Sequence, residues 1–211
     1  MAKLITMAAK DGGPDPMTNA KLRLAISNAK AANLPKDNID AAIKRASAKD
    51  AQDIVEVNYE GKGPHGVLIF VECATDNSNR SVTNIKTYFN KNGGQMVPSG
   101  SLEFLFSRKA AVEFERTAEM DLEELELSLI DAGLEELVVD DDLVTVLADY
   151  SSFSTLTQAF EQLGITVKKA ELRRIASNPV ELTEEQLEEV EKLIDKIEDD
   201  DDVHAVFTNI A

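Results

Sequence analysis

Apolar residues recur with helical periodicity in the first fifty residues. Spacings of three and four positions are typical of amphipathic helices that bury one stripe. The apolar residues at this spacing are Leu22, Ala25, Ile26 and Ala29, followed by Ile39, Ala42, Ile43 and Ala46. Stretches rich in glycine, proline and asparagine at 12–16 and 33–37 interrupt the pattern. The pattern therefore predicts a small bundle of short helices.

The pattern then changes to that of a central strand. Val67–Val71 is an uninterrupted apolar run bounded by turn residues, which predicts a strand buried on both faces. The polar segment Thr75–Asn79 supplies oxygen-bearing side chains suited to the N-cap of a helix. That helix is expected to end at Gly93, because glycine readily adopts the left-handed conformation found at helix ends.

The rest of the chain alternates between short strands and helices. Strands are predicted at 54–60, 102–106, 111–115, 137–139, 143–147, 165–175 and 203–207. Helices are predicted at 121–132, 151–163 and 183–198.

These elements predict an α+β protein with an N-terminal helical bundle and two ferredoxin-like α+β domains, one inserted in the other. The limits are 1–53 for the helical domain, 54–117 with 178–211 for a discontinuous domain, and 118–177 for the insertion. In this arrangement the last strand pairs beside the strand at 67–73. Three consecutive domains are the alternative.

Charge is distributed unevenly along the chain. The net charge is −17, but residues 1–50 carry +4 and residues 51–211 carry −21. A basic segment on an acidic protein favours a nucleic-acid contact confined to that segment, because the acidic part repels phosphate. A mildly basic, solvated surface is the simpler interpretation.

Catalytic and metal-binding motifs are not evident. His65 and His204 have no companion ligand at metal-binding spacing, and Cys73 lies in the buried strand. Gly61–Gly66 matches the pattern of a dinucleotide-binding loop, yet it leads into a strand, so a turn is predicted. The acidic segments 140–142 and 198–202 are interpreted as solvated turns rather than cation sites. We predict no enzyme activity, cofactor or metal.

Several segments together carry a resemblance to a known family. They are Ala8–Pro16, Asn19–Ile26, Lys30–Ile39, Ala42–Arg45, Tyr59–Gly61, Gly63–Gly66, Val71–Arg80, Gly93-Gly94 and Gly100-Ser101. With these segments the chain resembles the YebC family over essentially its whole length.

The resemblance implies three domains and a cytoplasmic, non-enzymatic regulator of gene expression. Many bacterial members are described as probable DNA-binding transcriptional regulators, and others act as ribosome-associated factors in translation. Members usually begin with a basic segment and a first helix that would lie upstream of residue 3 here, so about thirty further residues are expected upstream.

The expected partner is nucleic acid, either DNA or ribosomal RNA, and the ribosome is a further candidate partner. The candidate phosphate-binding residues are the bases predicted on the outer surface of the helical domain: Lys21, Arg23, Lys30, Lys36, Lys44 and Arg45. A third hypothesis is a protein-interaction surface on the acidic α+β part, near Asp140. No membrane span or small-molecule substrate is indicated, and a cytoplasmic location is the default.

Overall fold

The computed structural model describes residues 1–48 and 53–211. It begins with three helices that share one small core. These helices are α1 (Ala2–Gly12), α2 (Ala20–Ala31) and α3 (Lys36–Ala46). Ile5, Leu22 and Ile39 contribute to the core, one from each helix. Asn19 caps α2, since its side chain accepts a hydrogen bond from the Leu22 N–H.

A first sheet of four antiparallel strands follows the helices, in the spatial order β3-β1-β2-β8. Its elements are β1 (Val55–Lys62), β2 (Leu68–Thr75), α4 (Ser78–Lys91), β3 (Gln95–Val97), α7 (Glu184–Glu198) and β8 (Val203–Thr208). The last strand, β8, pairs with β2, which is the neighbour that the sequence predicts for it.

The central strand β2 is buried on both faces. Ile69, Val71 and Cys73 pack against α4 and α7, whereas Phe70 packs on the opposite face with Leu102 and Phe106. This double burial explains why the run Val67–Val71 is continuously apolar rather than alternating.

The second sheet also has four antiparallel strands, in the order β5-β6-β4-β7. Its elements are β4 (Phe106–Glu115), α5 (Leu122–Ile130), β5 (Leu134–Asp140), β6 (Leu143–Asp149), α6 (Phe153–Gln162) and β7 (Val167–Ala176). Helices α5 and α6 cover one face, with Leu129 and Phe160 in the core. This is the βαββαβ order of a ferredoxin-like unit.

The predicted limit between the two α+β parts needs a correction. The sequence predicts two short strands at 102–106 and 111–115 within the first part, but the structure has one continuous strand, β4. It pairs with β6 and β7 of the second sheet. We therefore propose domain limits close to 106 and 176 for the insertion, in place of 118 and 177.

The element order of the first part also differs from the prediction. With β4 in the other sheet, the first part has the order ββαβ followed by the C-terminal αβ, so it is not a βαββαβ unit. The α+β class itself, helices followed by two four-stranded antiparallel sheets, is confirmed.

A buried arginine joins the two sheets. Arg174 of β7 donates from Nε to Glu72 of β2 at 2.8 Å, and its guanidinium carbon lies 3.8 Å from the centre of the Phe70 ring. The side chain is almost fully buried, so this contact combines a desolvated ion pair with a cation–π interaction.

A two-point hydrogen bond holds the helical domain on the second sheet. The side chain of Asn28 on α2 donates to the Ala170 carbonyl at 2.7 Å and accepts from the Ala170 N–H at 3.2 Å. Leu24 packs against the core of the same sheet. One flank of α2 is therefore occupied by protein.

Replacing Asn28 by alanine is expected to lower the free energy of unfolding by about 1–2 kcal/mol, because the backbone N–H and carbonyl of the buried residue Ala170 both lose their partner. Urea denaturation would measure the change. The neighbouring substitution Ser27→Ala is the control, since the Ser27 side chain makes no hydrogen bond to the described residues. An equal effect of both substitutions would contradict the role assigned to Asn28.

None of the helices in the described ranges combines the length and the apolar character needed to cross a bilayer.

Candidate nucleic-acid interface

The structure places the six predicted bases on α2 and α3, as expected, but in three different environments. All six belong to the outer surface of the helical domain, because the apolar stripes of both helices face the shared core. Their usefulness for binding phosphate depends on which acidic groups lie beside them.

Two of the bases are already engaged by the protein. Lys21 forms an exposed ion pair with Asp11 at 2.8 Å. Arg23 donates to the Pro16 carbonyl at 3.1 Å and lies 3.5 Å from Glu161 of α6. Arg23 thus contributes to the contact between the helical domain and the second sheet, and its charge is partly compensated.

Three lysines form the most accessible group. Lys30 lies in the last turn of α2, Lys36 in the first turn of α3, and Lys44 in its last turn. All three are exposed, and none forms an ion pair within residues 1–48 and 53–211. Lys36 and Lys44 are eight residues apart on one helix, which places them on the same stripe about 12 Å apart. We call Lys30, Lys36 and Lys44 the basic surface.

Arg45 has a more acidic environment. It borders a cleft between the helical domain and the first sheet, where Arg80 and the turn Asp199–Asp202 also lie. A phosphate that approached Arg45 would meet the carboxylates of this turn, so the structure separates Arg45 from the basic surface.

The surroundings of the basic surface favour contacts to phosphate over contacts to bases. Asp37 and Asp40 are also exposed on α3, so this helix presents mixed charges. Helix α2 is held against β7 through Asn28 and cannot lie in a DNA groove along that flank. Lysine ammonium groups bind phosphate as point charges, and contacts to phosphate carry no information on base sequence.

Sequence reasoning missed a buried cluster around Asp202 at the same cleft. Asp202 has 2% of its surface exposed. Its carboxylate accepts hydrogen bonds from Arg80 Nη2 at 2.7 and 2.9 Å, from Ser81 Oγ at 2.6 Å and from Thr75 Oγ1 at 3.0 Å. Lys3 of α1 forms an ion pair with the same carboxylate. The segment 198–202 is therefore not simply the solvated turn that the sequence predicts.

The cluster explains the polar sequence around the start of α4. Asn77 caps the helix by accepting the Arg80 N–H at 3.1 Å, as expected for this segment. Thr75, Arg80 and Ser81 then direct their side chains to Asp202. Burial raises the pKa of Asp202, but the hydrogen bonds from Arg80, Lys3, Ser81 and Thr75 outweigh this effect and hold the pKa well below its ordinary value.

The cysteine and the two histidines are either buried or bound to other side chains of the protein. Burial raises the pKa of the Cys73 thiol to about 12, with nearby Asp200 and Asp202 adding to the effect, so the thiolate is strongly disfavoured. His65 Nε2 lies 2.8 Å from Glu189. Burial lowers the pKa of His204 on β8. In the part of the chain that the structure describes, no group of three His, Cys, Asp or Glu side chains could hold a metal ion.

The glycine-rich segment Gly61–Gly66 is a turn between two strands. It spans the end of β1 and a single 3-10 turn before β2, rather than the start of a helix. A Cβ atom at position 61 would lie 2.3 Å from the Phe89 ring, so Gly61 allows α4 to pack closely on β1. This glycine has a packing role.

Family models match both parts of the chain. A model described as the TACO1/YebC protein N-terminal domain matches residues 1–49, and one described as the TACO1/YebC second and third domain matches residues 54–210.

Curated relatives and a solved structure match across the full chain. A probable transcriptional regulatory protein of Wolinella succinogenes is 64% identical and one of Sulfurimonas denitrificans is 55% identical; this chain is covered completely, and 90% and 89% of the relatives are covered. The crystal structure of a conserved hypothetical protein from Aquifex aeolicus has a TM-score of 0.83 at 33% identity, covering 100% of this chain and 87% of the other.

Proposed function

Because the chain belongs to the TACO1/YebC family, we propose that it is a non-enzymatic regulator of gene expression that contacts nucleic-acid phosphates through the basic surface. The observation that carries this proposal is a set of exposed lysines that form no ion pair with any described residue, on a protein of net charge −17: Lys30, Lys36 and Lys44. A local basic surface on an acidic molecule orients a polyanion toward one end of the molecule.

The names of the relatives support DNA as the target. The Wolinella and Sulfurimonas proteins are both named probable transcriptional regulatory proteins. Duplex DNA would then be bound mainly through its backbone, with affinity that falls steeply as salt rises.

The packing of α2 favours a second candidate, a translation factor that binds ribosomal RNA. Helix α2 is fixed against β7 by Asn28 and Leu24, and α3 carries Asp37 and Asp40 beside its bases. Neither helix has the features of a recognition helix that reads the major groove. Structured RNA is recognised largely through shape and backbone contacts, which such a surface can provide.

The non-enzymatic part of the proposal is supported by the environments of the cysteine and the two histidines. Cys73 is buried with a raised pKa, His65 is bound to Glu189, and His204 is buried in β8. We propose that the protein acts in the cytoplasm, without a cofactor, where both DNA and ribosomes are accessible in a bacterium.

Sedimentation of a cell lysate through a sucrose gradient, at low and moderate salt, distinguishes the two targets. A translation factor is expected to migrate with ribosomes at low salt and to leave them as salt rises. A DNA-binding regulator is expected to stay at the top of a nuclease-treated gradient and to bind labelled duplex DNA in an anisotropy assay. If the protein binds neither ribosomes nor duplex DNA at low salt, the proposed function is wrong.

A further inference from the structure

The edge of the second sheet farthest from the helical domain exposes apolar side chains. Leu127 and Ile130 on α5 are 70% and 53% exposed, and Val139 on β5 is 42% exposed. Leu127 and Ile130 are three residues apart on one helix, so they are neighbours on its outer surface. We call these three residues the α5–β5 face.

Packing within the domain does not account for these exposed residues. Helix α5 already buries Leu125 and Leu129 in the core of the second sheet. Leu127 and Ile130 project from the other side of the helix. Large apolar side chains grouped on a surface are typical of an interaction site rather than of a solvated helix face.

The segment that forms this face is strongly acidic, although Glu135 of β5 is paired with Lys109 of β4. Between Arg116 and Lys168 the sequence has thirteen Asp and Glu residues and no Lys or Arg. Glu123, Glu124 and Glu126 surround Leu127 on α5, and the turn Asp140–Asp142 follows Val139. Among these acids, Asp142 lies 3.7 Å from Arg116, whereas the three glutamates of α5 form no ion pair with a described residue.

The acidic and apolar side chains together indicate which kind of partner the α5–β5 face would bind. A nucleic acid is repelled by this concentration of carboxylates, and a purely basic segment would leave Leu127 and Ile130 uncovered. We propose that the α5–β5 face docks a basic amphipathic helix of a partner protein, whose apolar residues cover Leu127 and Ile130 and whose Lys and Arg residues pair with the surrounding acids.

The structure of the edge strand favours a helical occupant over an added strand. Strand β5 has an irregularity between Leu134 and Glu136, and Glu135 and Glu136 lie on it. Bulges and charged residues on an edge strand prevent another strand from pairing with it. Binding through the side chains of α5 avoids this obstacle.

The α5–β5 face and the basic surface can be occupied at the same time. Strand β5 is separated from β7, which contacts the helical domain, by β6 and β4. Three strand spacings place the two edges about 14 Å apart, and α5 extends the separation. The inference therefore goes beyond the proposed function and does not depend on it.

The test measures binding of two fluorescent peptides of equal positive charge by anisotropy. The first is an amphipathic helix of lysine and leucine, and in the second every leucine is replaced by serine. The lysine–leucine peptide is expected to bind at least about tenfold more tightly, because only it can bury Leu127 and Ile130. Equal affinity would show that charge alone is responsible and would overturn the proposal.

The matched variants are the double substitution Leu127→Ser with Ile130→Ser and, as a control, Leu163→Ser at the residue that follows the end of α6. Leu163 is also exposed, but it lies outside the face. The double variant is expected to lose about tenfold in affinity for the lysine–leucine peptide, and the control is expected to bind as the unmodified protein does. Unchanged binding by the double variant would overturn the proposal.

A measurement on the unmodified protein avoids any effect of the substitutions on folding. Addition of the lysine–leucine peptide is expected to shift amide NMR signals of residues 122–142. Shifts confined to other regions would overturn the proposal, as would a labelled RNA that shifts the same 122–142 signals at equal concentration.

Discussion

Replacement of Asp202 by alanine is expected to lower the free energy of unfolding by about 3 kcal/mol, a large effect for one residue of a turn. The physical reason is that the carboxylate is buried and accepts hydrogen bonds from Arg80, Ser81 and Thr75, while Lys3 pairs with it. Without it, the buried hydroxyl groups lose their acceptor. Denaturation in urea at neutral pH would measure the change.

Asp201 provides a matched control for this prediction. It is the preceding residue in the same turn and has the same side chain, but it is exposed. Asp201→Ala is expected to leave stability essentially unchanged, because its carboxylate is already solvated. Similar stability losses for both substitutions would show that the turn, and not the buried cluster, responds to mutation.

The cluster also predicts how stability depends on pH. The pKa of Asp202 is lower in the folded state than the value near 3.9 of an unfolded chain, so its contribution is fully present above the unfolded pKa. The contribution is lost as pH falls through the folded pKa. The stability difference between the unmodified protein and Asp202→Asn is therefore expected to be largest near neutral pH and to shrink below about pH 4. A difference that stays constant down to pH 3 would contradict a charged Asp202.

Reversal of the charge of the basic surface is expected to have the largest effect on function. The triple variant Lys30→Glu, Lys36→Glu and Lys44→Glu removes three cations that form no ion pair in residues 1–48 and 53–211. If each lysine contacts one phosphate, the slope of log K against log salt falls by about 2 to 3, and nucleic-acid binding near physiological salt is lost. Anisotropy over a salt series would measure both quantities.

The control for charge reversal lies on the first sheet. Lys62, Lys86 and Lys91 are also exposed and form no ion pair among the described residues, so their replacement by glutamate changes the net charge by the same amount. This control is expected to weaken binding only slightly, through the long-range field. Equal losses in the two triple variants would mean that net charge, rather than the basic surface, governs binding.

For Arg45, the sequence and the structure predict different contributions to nucleic-acid binding. The sequence places Arg45 with Lys36 and Lys44 as a phosphate ligand, whereas the structure places it at the cleft beside Asp199–Asp202. Arg45→Glu alone is therefore expected to weaken nucleic-acid binding less than Lys36→Glu or Lys44→Glu. The same anisotropy assay makes the comparison.

Much of the fold was predictable because its signals are local. The stripe of Leu22 and Ala29 identifies α2, and Thr183 with Gln186 forms the capping box that begins α7. The uninterrupted run Val67–Val71 identified a strand buried on both faces. In each case, the residues that identify the element lie close together in the sequence.

The limit between the two sheets was not predictable in this way. Phe106–Glu115 forms β4, and its apolar alternation is equally compatible with either sheet. Its pairing with β6 and β7 assigns it to the second sheet, and the residues of these two strands follow much later in the chain. Strand partners are chosen by contacts distant in sequence, so a local pattern cannot identify them.

The α+β class, most of the helices and strands, and the location of six bases on two helices follow from local sequence patterns. The tertiary structure determines what surrounds each charge. It compensates Lys21 and Arg23, places Arg45 at an acidic cleft, and buries Asp202 beneath Arg80. The reason is physical: the effect of a charge depends on its burial and on its neighbours in space, and residues far apart in the sequence supply both.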